Sequence, residues 1–139
     1  MTPDHPADQN TVRTLDSPRQ LAEWANARVA HHRRQLASAS PPPRHSSGKA
    51  SAGIDDLPAT WLLRTWEDLS AGFVSLHHKN LLVDGADPAV LATAFMAALQ
   101  GGYLLSVTAR HIAPLEVAVK MALQQVARNL ADEPPRPNG

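Results

Sequence analysis

Two pairs of adjacent histidines, His31-His32 and His77-His78, are the side chains in this 139-residue sequence best suited by type to hold a metal. Neighbouring residues on a helix point about 100° apart, so neither pair can close on one ion by itself. Carboxylates at chelating spacing are missing beside them, and surface or groove positions account for these histidines better. Gly48-Lys49 lacks the upstream glycine of a phosphate-binding loop. No HExxH, no Gly-x-Ser-x-Gly and no calcium-loop spacing occurs, so no nucleophile–base pair and no ligand set can be named. The expectation is a protein that is not an enzyme and uses no metal or cofactor.

The aromatic side chains carry more information. Trp24, Trp61, Trp66 and Phe73 all precede the last third of the chain, where Phe95 and Tyr103 stand. Core packing is what most helical aromatics do. The alternative places several of them around an apolar cavity between helices, a usual seat for a small ligand.

Four segments must position these residues. Ser17-Pro18-Arg19-Gln20 opens a helix with a cap and a glutamine three residues later, and Leu21, Trp24, Ala25, Val29, His32 and Leu36 form its apolar side. Asp55-Asp56-Leu57-Pro58 opens a second, whose stripe is Leu62, Trp66, Leu69, Phe73 and Leu76. Asp87-Pro88 opens a third that runs to Ala109 without a charged residue, and Ala113-Pro114 opens the last. The spacing predicts helices over 17–37, 56–79, 88–110 and 114–131, the last two antiparallel because so little chain joins them. Asn80 to Ala86 reads as a short apolar strip closed by an Asp84-Gly85 turn. Residues 1–15 are polar and unpatterned and are expected to be disordered, 38–53 to form a flexible Pro/Ser-rich linker, and 132–139 a disordered, fraying tail. One helical domain over 16–131 remains.

The third helix is apolar nearly all round, and one side is built of small residues, with Ala94, Ala98 and Gly102 at four-residue spacing and Gly101 beside them. Such a row lets another helix approach closely. The fourth is two-faced, with Leu115, Val119, Ala122 and Val126 on one side and Glu116, Lys120 and Gln124 on the other. Two helices cannot enclose this much apolar surface between them, so the remainder of the chain or a second copy has to cover it.

Thirteen basic against thirteen acidic residues argue against direct nucleic-acid binding, which draws its affinity from neutralised phosphates. The lack of cysteine excludes disulfides and thiolate chemistry and suits a reducing interior, so a cytoplasmic location is expected. Residues 88–109 are long enough to span a bilayer, but Thr93, Gln100, Gly101, Gly102, Ser106 and Thr108 interrupt them. No aromatic belt or basic cluster flanks them either. A buried bundle helix fits better than a membrane span.

The order DGADPAVLATAFMAALQGGYLLSVTARHIAPLEVAVKMALQQV, from Asp84 to Val126, resembles the end of the C-terminal domain of the tetracycline-repressor (TetR) family. The likeness rests on Asp87-Pro88, Leu99-Gln100-Gly101-Gly102, Leu104-Leu105, Ala109-Arg110 and Pro114-Leu115, and extends more loosely back to Leu15. The resemblance implies an all-α, antiparallel bundle of about four helices and a homodimeric transcriptional regulator of repressor type. The last two helices would join those of a partner in an intermolecular four-helix bundle. Ala94, Ala98, Gly101, Gly102 and Leu105 would pack against Leu115, Val119, Ala122 and Val126 of both copies. Trp24, His32, Trp61, Trp66 and Phe73 would line the site of a small apolar effector. DNA would be reached only through a helix-turn-helix head, for which the residues before Ser17 are too few. The rival expectation keeps the fold but drops the ligand, leaving a dimerisation module that pairs with a full-length relative.

Overall fold

A computed structural model describes residues 12–38 and 59–131. Expectations for residues 1–11, for the Pro/Ser-rich stretch beyond Ser38, for a helix start at 56 and for 132–139 lie outside the described residues. The rest is all-helical: α1 (Pro18–Ser38), α2 (Ala59–His78), α3 (Pro88–Ala109) and α4 (Ala113–Arg128).

Helix starts follow the chemistry that marks them. Ser17 Oγ accepts from Gln20 N at 3.4 Å, while Gln20 Oε1 reaches back to Asp16 N at 2.6 Å, one residue earlier than a regular capping box. At α3, Asp87 Oδ1 accepts from Ala89 N at 2.9 Å and Pro88 occupies a first-turn position. That helix ends when Arg110 turns left-handed at φ 62° and donates its N–H to Ser106 O.

The three-residue link Arg110–Ile112 folds α4 back along α3. Ser106, wholly buried, fastens the corner: its Oγ accepts from Leu115 N at 2.9 Å and donates to Ile112 O at 3.3 Å. Ser106→Ala is therefore expected to cost about 1 kcal/mol, read as a lowered urea midpoint with an unchanged slope. The far end is closed by backbone pairing. Val83 N donates to Asn129 O at 2.8 Å and Ala131 N to Leu81 O at 2.9 Å, so the apolar strip after α2 zips onto the end of α4.

α2 packs on α3, and α1 packs on α4. Leu69, Phe73, Leu76, Phe95, Leu99 and Leu115 form the centre of the core, with the Phe73 and Phe95 rings 6.1 Å apart. Arg33 of α1 pairs with Glu116 of α4 on the outside.

The boundary drawn at residue 15 is corrected. Val12 and Leu15 are both fully buried, docked on α2 where Gly72 has no side chain. A Cβ at Gly72 would stand 2.1 Å from Val12 O. Arg13 pairs with the buried Asp68 at 2.7 Å, and Lys79 Nζ holds both Asp16 Oδ1 at 2.8 Å and Leu15 O at 3.1 Å. Two apolar residues three apart are too short a pattern for periodicity to register, and the glycine that receives them carries no hydropathy.

Candidate functional site

Two surfaces stand out. The first is a cleft between α1, α2 and α3, lined by Trp24, Arg28, His32, Trp61, Thr65, Met96, Leu99, Gln100 and Tyr103, with Leu115 of α4 at its side. Its walls are predominantly apolar. The Arg28 guanidinium lies over two rings, 5.2 Å from the Trp24 centroid and 5.9 Å from that of Trp61, and so ties α1 to α2. On the α3 side the His32 and Tyr103 rings meet at 4.4 Å. The enclosed room is about 30 Å³, enough for about one water molecule, within about 400 Å³ of unfilled space that includes the open mouth.

Three of the five side chains expected around a ligand, Trp24, His32 and Trp61, are brought together here. The other two are elsewhere. Phe73 is fully buried against Phe95 in the core. Trp66 stands on the outside of α2, 41% exposed, and its Nε1 donates to Thr93 Oγ1 of α3 at 3.0 Å. The apolar stripe of α2 places Trp66 at the right spacing, but the buried face is centred on Thr65, Leu69, Gly72 and Leu76. Thr65 and Gly72 carry no apolar signal, which is why counting large hydrophobics rotates the helix by one residue. Arg28, Gln100 and Tyr103 also line the cleft and carry no signal of it in the sequence, because polar and amphipathic residues there look like any solvated helix face.

The second surface is the outer side of the α3–α4 hairpin. Val90 is 61% exposed, Leu105 59%, Val117 60% and Met121 55%, far from the burial such side chains usually reach. Between the two helices runs a groove of about 310 Å³ whose walls include Ala94, Ala98, Ala118, Met121 and Gln125. Ala94, Ala98, Gly101 and Leu105 follow one another at intervals of four, three and four along α3, the seam spacing of packed helices. On α4, Met121 and Gln125 line the groove opposite Ala94 and Ala98, and Val117 stands about one turn before Met121.

The nine residues expected to pair across copies divide in two. Ala94, Gly101 and Leu105 are exposed and Ala98 is half-exposed. Gly102, Leu115, Val119, Ala122 and Val126 are buried within the chain, in its core and in the seam of the hairpin itself. Gly102 shows why: a Cβ there would lie 2.6 Å from Ala118 Cβ and 3.1 Å from Leu115 Cα, so α3 and α4 approach each other across this glycine. Around Gly101 nothing among the described residues lies within 4 Å of such a Cβ.

Among the described residues no three His, Asp or Glu side chains gather where one ion could bind them. α3 has the length and apolarity of a membrane span, with a mean hydropathy of 1.6 over its best stretch, of which 39% is buried inside this chain. Compared with protein-family models, curated proteins and solved structures, the chain finds no match.

Proposed function

We propose that this chain is the effector-sensing and dimerisation domain of a TetR-type transcriptional repressor. The observation that carries the reading is the outer face of the hairpin. α3 has no charged residue, and its exposed Val90, Ala94, Gly101 and Leu105 share one side, with Val117 and Met121 exposed on α4. A strip of this kind on a soluble chain marks an interaction surface. Its occupant is a second copy. Small residues at Ala94, Ala98 and Gly101 admit a helix at close range, and a two-fold axis would set α3 and α4 of each copy against those of the other.

The aromatic cleft would be the sensing site. It touches α1, α2, α3 and α4 at once, so a ligand lodged in it bears on the hairpin that pairs and on the helices that precede it. The small enclosed volume favours a second reading in which the domain pairs without any effector, capturing a full-length relative and occupying its partner surface.

A reporter assay tests the pairing function. A DNA-binding head that represses only as a dimer, with its own pairing segment removed, is fused ahead of Met1. Repression is expected to return, and to be lost when Leu105 of the same fusion is changed to glutamate. A fusion expressed at the same level that never represses would contradict the reading.

A further inference from the structure

We propose that the cleft between α1, α2 and α3 takes a small, uncharged aromatic molecule bearing a carbonyl oxygen, which accepts hydrogen bonds from the Trp24 indole N–H and the Thr65 hydroxyl. The inference rests on the sensing role given to this cleft above and names the chemistry it selects.

Two polar atoms carry it. Trp24 Nε1 and Thr65 Oγ1 are both buried, in residues only 5% and 2% exposed, and neither has a hydrogen-bond partner among the described residues. Both residues line the cleft. Buried polar groups are almost always paired, so two orphans at one small site call for a ligand or a resident water.

The rest of the chain supplies the comparison. Thr93 and Thr108, also helical, turn their hydroxyls back onto the carbonyls of Ala89 and Leu104, each at 2.8 Å. Thr65 does not make that bond. Trp66, half out in solvent, has its N–H satisfied by Thr93, whereas the buried Trp24 does not. Among the described residues, Trp24 and Thr65 thus hold polar atoms that neither solvent nor the protein satisfies.

The kind of ligand follows from the walls. An indole N–H can only donate and a hydroxyl can donate, so the complementary atom is an acceptor with two lone pairs, as a carbonyl oxygen is. The flanking Trp24 and Trp61 rings, Met96 and Leu99 suit one flat ring. A full negative charge in such surroundings is costly, and the one guanidinium at hand, Arg28, already lies over both tryptophan rings. About 400 Å³ of unfilled space, mouth included, accommodates a single ring once the side chains at the mouth adjust.

The test uses the full chain labelled with nitrogen-15 on its three tryptophans, whose indole N–H signals are followed by NMR. Acetophenone is titrated against ethylbenzene, which matches its shape without the acceptor, and against benzoate, which carries the charge. Acetophenone is expected to bind about tenfold more tightly than ethylbenzene and to move the indole signal that disappears in Trp24→Phe. Thr65→Val should narrow that preference while keeping the shape of the wall. Equal affinity for acetophenone and ethylbenzene, tighter binding of benzoate, or no binding of any probe would each overturn the proposal. The comparison of probes on the unaltered chain stands even where a variant fails to fold. A dimer that takes no probe refutes this inference alone and leaves pairing intact, whereas a monomer that binds acetophenone refutes the pairing and leaves the cleft chemistry.

Discussion

Leu105→Glu is expected to turn a paired chain into a single one while leaving its helix content and its own core untouched. Leu105 is 59% exposed in the isolated chain, so its side chain contributes little to the fold of one copy. In the proposed pair it lies at the end of the strip formed with Ala94, Ala98 and Gly101, and a carboxylate there would be desolvated with no basic side chain on α3 of either copy to pair it. Burying an unpaired carboxylate costs several kcal/mol, and a two-fold pair buries two, so a loss of about a hundredfold or more in pairing affinity follows. Sedimentation velocity reads the mass and circular dichroism the helices. Val74→Glu, on the exposed side of α2, is the matched control and should change neither. A Leu105→Glu chain that sediments like the parent would remove this face from any interface.

Adjacent glycines give the second large effect, with opposite signs. Alanine in place of either glycine in mid-helix gains about 1 kcal/mol in propensity. At Gly101 nothing among the described residues of one chain opposes that gain. At Gly102 the new methyl meets Ala118 Cβ at 2.6 Å and the Leu115 backbone at 3.1 Å, and overpacking of that kind costs about 1–3 kcal/mol. The propensity terms cancel between the two variants, so Gly102→Ala should be about 2 kcal/mol less stable than Gly101→Ala in urea unfolding. The comparison belongs in a Leu105→Glu background, where pairing adds nothing to the midpoint. In the parent background Gly101→Ala carries a further consequence. Its methyl would stand in the path of the partner helix, so the same change that steadies one copy should weaken the pair. Equal stabilities for the two alanine variants would show that α3 and α4 do not meet at Gly102.

How far the sequence carries depends on what each residue signals. The α3–α4 hairpin is legible because Asp87-Pro88 and Ala113-Pro114 mark two starts by chemistry that the backbone itself demands, and the structure places helices at Pro88–Ala109 and Ala113–Arg128. The all-α class follows from the same periodicity. The docking of Val12 and Leu15 was not legible, since its receptor is a glycine and its clamps, Arg13–Asp68 and Lys79–Asp16, join residues more than fifty apart in sequence.

The cleft was half legible. Trp24, His32 and Trp61 announce themselves by type, but periodicity fixes a spacing and leaves the phase of a helix open. Spacing alone therefore groups the exposed Trp66 with the buried stripe and gives no sign of the buried Thr65 beside it. The outer face posed a different difficulty. A row of small and apolar residues is the same pattern whether it faces its own chain or another, and only the close contact of Gly102 with α4 assigns that residue to the internal seam and leaves Gly101 outside.

The central claim is that the outer face of the hairpin is covered by a second copy of this chain. Sedimentation equilibrium of the unaltered chain at micromolar concentration tests it most directly. A mass of about 30 kDa, twice that of the 15.0 kDa chain, is the predicted result. A mass of 15.0 kDa that holds as the concentration rises would contradict it.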